Sequence, residues 1–508
     1  MRVLLEVGPP WVPQSSESPK SSNFAQEGGR SLQAEKGTLP LCDRTALELA
    51  ALVHRGELSA RELVSAYLGR IEARNPALNA IVTLVPERAL AWAAEADEKQ
   101  ARGEPLGPLH GLPIAHKDLV MTAGIRSTSG SPLLAEHVPK HDDLIVTRLR
   151  AAGAITIGKT NVPEFGAGSH TFNEVFGATR NPWGTSKTCG GSSGGAAVAL
   201  AAGMLPIADG SDMGGSLRNP ANFCNVVGFR PSPGRVPHVP APLGWESLSV
   251  LGPMGRTVED TALLFSAMAG PDPRAPISLD TPGARFAEPL ARDFTGVRIA
   301  FDPDLGGLPV DPRVADVLEA GLVGFSEIGC QIERAGIDWT GADEAFHTLR
   351  AWTFASGFAG LPDSAFERLK DTIQWNVRKG WALKGDDVSR AERLRTTLFQ
   401  RLHTFMGEYE FLILPVNQVP PFDIDVPYPE EIAGIKMETY IDWMKSAYYV
   451  TVTGHPAISV PCGFTPEGLP VGVQIVGRHR DDFGVLQLAY AYQQATRLCD
   501  RRPARGTS

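Results

Sequence analysis

The sequence has few of the features that mark disulfide-stapled, metal-binding or nucleic-acid-binding proteins. Its six cysteines are scattered over 508 residues without a CxxC pair, which argues against a disulfide framework or zinc site and favours a reducing compartment. The 11 histidines form no HExxH motif or similar cluster, so we expect no metal and no other cofactor. The formal net charge of −9 gives no electrostatic reason to expect nucleic acid or an anionic membrane as a partner.

Long apolar runs are also missing. No run approaches the ~20 residues needed to cross a bilayer. Glu6 interrupts a very short apolar patch at the N-terminus, where a secretory signal needs a longer uncharged one. We therefore expect a cytoplasmic protein. Residues 1–40 are rich in Ser, Gly, Pro and Gln and are expected to be a flexible tail, with residues 41–508 as one domain.

Two glycine-flanked serines lie near the middle of the chain. Ser192 belongs to GGSSGG (190–195), and Ser216 ends the stretch DMGGS (212–216). Because glycine has no Cβ, backbone N–H groups can crowd around a small reacting centre in such stretches. The small apolar residues of AAVALAAG (196–203) predict a buried helix, whose positive N-terminal end would point back at the first serine.

A serine hydroxyl is a poor nucleophile at neutral pH and needs a base. No convincing Gly-x-Ser-x-Gly nucleophile elbow is present, so a lysine is the next candidate for the base. Lys117 ends the apolar stretch LPIAHK (112–117). Burial there would lower the pKa of its amine and leave part of it neutral, as a general base requires. The alternative is a solvated surface lysine.

Nine segments together resemble the amidase signature family, over roughly residues 43–496. The resemblance implies an α/β fold, one large α/β/α domain around a central twisted mixed sheet covered by helices on both faces. The alternation of predicted strands and helices indicates the same class. The segments are GPLHGLPIAHKD (107–118), GKTNVPEFG (158–166), GATRNPW (177–183), GGSSGG (190–195), DMGGSLRNPA (212–221), GFRPSPGRVP (228–237), GPMGRTVEDTA (252–262), TGHPAISVPCGF (453–464) and GLPVGVQIVG (468–477).

The resemblance also implies a Ser-cis-Ser-Lys triad. Its motifs place the nucleophile on Ser216, the relay on Ser192 after a cis bond to Gly191, and the base on Lys117. Ser193 is the neighbouring alternative for the relay. We expect an oxyanion hole formed by backbone N–H groups, where donors aimed at developing charge act strongly. The four expected donors are those of Met213, Gly214, Gly215 and Ser216.

Other polar residues near these motifs have more than one interpretation. His170 and Asn173, together with Gly191 and Tyr448, are candidates for substrate contact. Asp212 and Arg218 are expected to form a charge pair that fixes the nucleophile loop, because partly buried charges are normally paired. Cys189 and His116 are expected to pack rather than react. The sequence GAITIGKT (153–160) fits a phosphate-loop pattern, but its middle residues are typical of a strand, which argues against nucleotide binding.

Several local elements can be predicted around these motifs. Ser59 and Glu62 form a capping box that opens a helix, which Asn75-Pro76 is expected to end. Residues 112–115 are expected to form a short core strand that carries Lys117 just past its end. Residues 335–450 match the family pattern least and are rich in aromatic side chains, so we expect them to shape the substrate pocket.

The leading hypothesis is an amide hydrolase that forms an acyl-enzyme on a small apolar or aromatic substrate. Amides, carbamates (urethanes) and esters need the same nucleophile, so aryl acylamidase and urethanase activities both fit, in a monomer or homodimer. The alternative is the glutaminase-type subunit of a tRNA-dependent amidotransferase. That subunit carries a GYYDAYY segment and a threonine before its nucleophile glycines; here the segment is missing and Met213 replaces the threonine. A catalytically dead scaffold is the third possibility.

Overall fold

The structure is a computed structural model that describes residues 39–504. The expected flexible tail, residues 1–40, therefore falls outside the described residues except for its last two positions. Among the helices of residues 39–504, none combines the length and the apolar character that crossing a bilayer requires.

Fourteen α-helices form within the described part of the chain. They are α1 (Ala46–His54), α2 (Ala60–Leu78), α3 (Pro86–Ala101), α4 (Leu144–Ala151), α5 (Gly194–Ala201), α6 (Arg218–Cys224), α7 (Val258–Met268), α8 (Pro312–Glu327), α9 (Ala342–Gly357), α10 (Asp363–Phe366), α11 (Asp371–Ala382), α12 (Gly385–Phe405), α13 (Lys445–Thr453) and α14 (Asp482–Thr496).

Seventeen strands also form in residues 39–504. They are β1 (Ile81–Leu84), β2 (Pro113–Lys117), β3 (Ile155–Thr160), β4 (Phe172–Asn173), β5 (Gly177–Ala178), β6 (Arg180–Asn181), β7 (Gly184–Thr188), β8 (Ile207–Asp212), β9 (Val227–Arg230), β10 (Val250–Gly255), β11 (Arg298–Phe301), β12 (Gln331–Arg334), β13 (Phe411–Pro415), β14 (Glu431–Ile432), β15 (Ile435–Lys436), β16 (Ala457–Phe464) and β17 (Pro470–Gly477).

Eight strands form the central sheet, in the order β12-β11-β13-β17-β16-β9-β10-β8. The pairs β11–β12 and β11–β13 are parallel, and the other neighbours are antiparallel. The expected mixed sheet is therefore confirmed, with antiparallel pairing predominant.

Helices cover both faces of this sheet. Successive side chains of a strand point to opposite faces, and β13 shows the consequence. Phe411 and Ile413 join a core with α1, α4, α7, α8 and α14, whereas Leu412 and Leu414 join a second core with α9, α12 and α13. Because both faces are apolar and covered, the strand is buried along its whole length.

The lysine strand belongs to a second, smaller sheet. Strand β2 pairs in parallel with β3, which pairs antiparallel with β1. The strand extends through Lys117 rather than ending at residue 115, because Lys117 pairs with Thr160 of β3. The phosphate-loop pattern also lies here, and its last six residues, Ile155–Thr160, form a buried strand and not a glycine-rich turn.

Helix α2 begins as predicted and ends later than predicted. Ser59 and Glu62 form the capping box. Asn75-Pro76 does not end the helix, which continues to Leu78. The Asn75 side chain accepts the N–H groups of Ala80 and Ile81 and so satisfies the backbone that follows the helix. A proline this close to a helix end removes little of the hydrogen-bond ladder.

Candidate active site

Lys117 lies fully buried at the end of β2. Its backbone N–H donates to Oδ1 of Asp209 on the adjacent strand β8 at 2.7 Å, which fixes the end of the strand. Its Nζ lies 2.8 Å from both Ser192 Oγ and Ser193 Oγ and 2.9 Å from Ser211 Oγ. The amine therefore has three hydroxyl neighbours and no carboxylate in direct contact within residues 39–504.

Burial lowers the pKa of Lys117 to about 7, because the charged ammonium loses its hydration inside the protein. The negative charges of Asp212 and Asp209 act in the opposite direction and only partly offset this effect. About half of the amine is therefore neutral at neutral pH, the form that can accept a proton.

Ser211 is a polar neighbour that the sequence motifs did not single out. It is the penultimate residue of β8 and bonds Lys117 through its hydroxyl. The only signal available in the sequence was its position five residues before Ser216, in a strand that precedes the glycine turn. Ser193, the alternative relay, lies as close to the amine as Ser192 does.

Ser192 lies two residues before α5, where the sequence predicted a buried helix. The helix spans Gly194–Ala201 and all its residues are buried. Its first turn packs directly against the chain after β3, since a Cβ on Gly195 would lie 2.3 Å from the backbone nitrogen of Asn161. The peptide bond between Gly191 and Ser192 is cis, as the resemblance implies.

Ser216 lies in the turn between β8 and α6 and is 8% exposed. Among the described residues, the N–H groups of Met213, Gly214 and Ser216 have no protein acceptor. The N–H of Gly215 donates instead to Asp212 Oδ1 at 2.9 Å. Three of the four expected oxyanion donors are therefore uncommitted, and the fourth is occupied by the aspartate that shapes the turn.

Asp212 holds this turn through buried ion pairs. Its Oδ1 lies 2.9 Å from Arg218 Nη2 and 3.2 Å from Arg230 Nη1, and all three side chains are inaccessible to solvent. Although burial alone would raise the pKa of the Asp212 carboxyl, the two guanidinium groups hold it well below its usual range. The charge pair predicted from the sequence is confirmed and includes a second arginine.

A cavity of about 220 Å³ opens beside both serines. Within residues 39–504 no direct hydrogen bond joins the hydroxyls of Ser192 and Ser216, although both line this cavity. Arg350, Phe354 and Met444 line it as well, so the divergent region 335–450 does contribute to its wall. The remaining lining residues are Leu119, Val120, Asp143, Phe165, Gly166, Gly168, Ser211, Asp212, Met213, Gly214, His238, Ser249, Val250 and Leu251.

The four residues expected to contact substrate do not line this cavity. His170 Nε2 lies 2.8 Å from the carbonyl of Ile424, and burial lowers the pKa of His170 to about 4. Asn173 Nδ2 donates to Asn161 Oδ1 at 2.8 Å. Substrate contact by these two residues and by Gly191 stays a prediction, without support from the lining of the cavity.

Tyr448 is likewise committed to internal contacts. Its hydroxyl donates to Asp343 Oδ1 at 2.5 Å, and its ring stacks on Phe346 with centroids 4.1 Å apart. This ring pair packs α9 against α13. The aromatic side chains of the divergent region that reach the cavity could not be picked out from sequence, because many aromatic residues occur in this region.

The remaining motif residues have structural contacts. Burial raises the pKa of the Cys189 thiol to about 12, which keeps it protonated and unreactive. His116 Nδ1 lies 2.5 Å from Asp209 Oδ2, so His116 supports the strand end that carries Lys117. Lys159, the lysine of the phosphate-loop pattern, donates to Thr122 Oγ1 at 3.1 Å inside the core.

One group of side chains in residues 39–504 has the composition of a metal site. Asp343, His347 and Asp442 bring three ligand atoms within 4.8 Å of one another. The ammonium group of Lys445 lies 3.6 Å from Asp343 and 3.7 Å from Asp442, so these carboxylates already share a protein cation. The group lies outside the lining of the cavity that holds the two serines.

A family model described as Amidase matches residues 62–486 of the chain. An acylamidase from Rhodococcus erythropolis is 36% identical over 474 residues, covering 91% of this chain and 97% of the relative. The A subunit of the glutamyl-tRNA(Gln) amidotransferase from Moorella thermoacetica is also 36% identical, over 488 residues, covering 91% of this chain and 99% of the relative.

Solved structures agree with these matches. A crystal structure of a bacterial aryl acylamidase of the amidase signature family superposes with a TM-score of 0.83 at 29% identity, covering 91% of this chain and 99% of that one. A 6-aminohexanoate cyclic dimer hydrolase gives 0.81 at 26% identity, covering 91% and 99%. The chain therefore belongs to the amidase signature family and is an enzyme that hydrolyses amides.

Proposed function

We propose that the enzyme cleaves carboxylic amides through an acyl-enzyme on Ser216, with Ser192 as proton relay and Lys117 as general base. The observation that carries this proposal is the placement of a buried amine, 2.8 Å from Ser192 Oγ, beside a cavity that Ser192 shares with Ser216. A lysine with a pKa near 7 has the basicity that proton transfer at neutral pH requires.

In the first half-reaction, Ser216 Oγ attacks the amide carbonyl carbon and loses its proton to Ser192 Oγ. The Ser192 proton passes to the neutral amine of Lys117. The carbonyl oxygen becomes an oxyanion that the uncommitted N–H groups after β8 stabilise. The Lys117 ammonium then returns a proton through Ser192 to the leaving nitrogen, and the C–N bond breaks to leave an ester on Ser216.

In the second half-reaction, a water molecule attacks the ester carbonyl. The same relay removes a proton from the water and returns it to Ser216 Oγ, which releases the carboxylic acid. Each half-reaction uses the neutral amine as the starting form, so no net proton remains on the enzyme after one cycle. Carbamates and esters fit the same sequence of steps, because they present the same carbonyl carbon to the nucleophile.

We expect the substrate to have an apolar or aromatic part. The cavity wall includes the rings of Phe165 and Phe354 and the flexible side chains of Met213 and Met444. Such side chains line most small-molecule sites, and methionine adapts to irregular shapes. The similarity to an acylamidase and an aryl acylamidase supports this substrate class, with urethanes as the closest chemical extension.

The alternative is glutamine hydrolysis as part of an amidotransferase. Amidotransferase subunits are as similar in sequence to this chain as the acylamidase is, which favours testing this function directly. A glutaminase assay, with and without the partner subunits of such a complex, separates the two. Activity on glutamine that depends on the partners would replace the stand-alone assignment.

A turnover screen across anilides, aliphatic amides, carbamates and esters tests the leading proposal, with Ser216→Ala as the blank. We expect turnover of at least one aryl or aliphatic amide by the unmodified enzyme and none by the variant. Labelling by a fluorophosphonate that requires Ser216 is the second readout. Failure of both labelling and turnover would favour a catalytically dead scaffold.

A further inference from the structure

Arg350 is a buried cation in the wall of the cavity. It lies on α9, is 4% exposed, and lines the same cavity as Ser192 and Ser216. Its guanidinium packs over the ring of Phe354, 4.6 Å from the ring centroid. This position removes the charge from water close to the place where a substrate would bind.

The hydrogen bonds of Arg350 leave much of its donor capacity unused. Nη2 donates to Tyr440 Oη at 2.9 Å, and Nη1 contacts only the thioether sulfur of Met213 at 3.5 Å. The Nε atom is buried and has no partner within residues 39–504. A guanidinium has five N–H donors and a thioether is a weak acceptor, so the group is short of acceptors.

Three other buried arginines, Arg218, Arg230 and Arg235, each have a carboxylate partner. Asp212 serves both Arg218 and Arg230, and Asp482 lies 2.9 Å from Arg235. No carboxylate of the described chain lies within 4.0 Å of the Arg350 guanidinium. A buried charge without a counter-ion is costly, and cation–π contact with Phe354 offsets only part of that cost.

We propose that Arg350 binds a carboxylate group of the substrate, so that the enzyme prefers amides that carry an anionic group a few bonds from the scissile carbonyl. This inference rests on the proposed amide hydrolysis and adds a substrate class to it. A planar carboxylate matches the fork of a guanidinium and supplies two acceptor oxygens. Arg350 is buried against the ring of Phe354, which limits the access of water to such a pair.

Met213 indicates how the anionic group is placed relative to the carbonyl. Its side chain contacts Arg350, while its backbone N–H is one of the uncommitted donors beside Ser216. The carboxylate and the scissile carbonyl would therefore bind on two sides of one residue. An amide with a short spacer between the two groups fits that arrangement.

The test uses substrate pairs that differ mainly in one carboxylate. N-phenylsuccinamic acid and butyranilide form the acyl-side pair, and 4-acetamidobenzoate and 4-methylacetanilide form the amine-side pair. We expect kcat/KM to favour the carboxylated member of at least one pair by about 10-fold or more, since a charged hydrogen bond contributes roughly 1.5–3 kcal/mol. Arg350→Met should lower kcat/KM for the carboxylated member far more than for the neutral member, so that the preference is lost.

Two further variants sharpen this result. Arg350→Lys should retain part of the preference, because it keeps the charge but loses the fork. Arg393→Met is the matched control: it removes the same charge from an exposed position on α12 and should leave the preference intact. Equal loss on carboxylated and neutral substrates in Arg350→Met would show a structural role and overturn the proposal, as would absence of any preference in the unmodified enzyme.

A binding measurement separates this inference from the proposed reaction. Titration calorimetry of Ser216→Ala with N-phenylsuccinamic acid and with 4-acetamidobenzoate should show binding of at least one of them, and Ser216→Ala/Arg350→Met should bind that compound at least about 10-fold more weakly. If no amide is turned over but the two variants differ in affinity as expected, the carboxylate site is supported and the proposed hydrolysis is refuted. If amides are turned over but the two variants bind with equal affinity, the proposed hydrolysis is supported and the carboxylate site is refuted.

Discussion

The titration of Lys117 gives the sharpest prediction about catalysis. The pKa of its amine is lowered to about 7, from an ordinary lysine value of 10.5. Roughly nine tenths of the amine would then be neutral at pH 8, whereas an ordinary surface lysine would be less than ~1% neutral. For a neutral substrate such as an anilide, kcat/KM should therefore rise about tenfold per pH unit below pH 7 and level off above it.

The assay is kcat/KM against pH between about 5 and 10, with an uncharged anilide so that the substrate does not titrate. Asp143 is the group to control for, because it lines the cavity and burial raises its pKa to about 6. Asp143→Asn should leave the rise near pH 7 in place. A profile that is flat between pH 5 and 9 would refute the assignment of Lys117 as the base. Loss of the rise in Asp143→Asn would refute it as well.

The same pKa shift affects folding stability, and the sign can be stated. Between about pH 7 and 10.5 the unfolded state carries the Lys117 proton and the folded state does not. The free energy of unfolding should therefore rise with pH in this window, by about 1.4 kcal/mol per unit from this group. Chemical denaturation measures the free energy of unfolding of the unmodified enzyme and of Lys117→Met. The value for the unmodified enzyme minus the value for the variant should increase from pH 7 to pH 10. A value that stays constant over this range would contradict the prediction.

Three further changes test the nucleophile turn. Ser216→Ala should reduce kcat by at least about 10³-fold with an unchanged melting curve, and residual turnover near the original rate would exclude Ser216 as nucleophile. Asp212→Asn should lower the free energy of unfolding by about 3–5 kcal/mol in denaturant titrations, because two buried guanidinium groups lose their counter-charge. Gly215→Ala should lower both stability and kcat, because φ is +110° and the new Cβ would lie 2.5 Å from Asn219 Oδ1; normal thermal unfolding and turnover would contradict this.

The local elements around the site could be predicted from sequence because their signals are local. The small residues after Gly195 predicted a buried helix, and α5 is buried throughout. Ser59 and Glu62 predicted the start of α2. The predicted end of α2 was wrong. The prediction used only the tendency of a helix to end before a proline, whereas the Asn75 side chain accepts the N–H groups of Ala80 and Ile81 and stabilises the later end.

The sequence by itself determined the family, the fold class and the motifs that supply Lys117, Ser192 and Ser216, because these depend on short patterns and local composition. Only the tertiary structure decided that Ser211 also bonds the amine, that Asp212 occupies the N–H of Gly215, and which part of region 335–450 reaches the cavity. These contacts join residues on different strands and helices. Their distances depend on how the two sheets and α9 pack together, and no spacing along the chain encodes that packing.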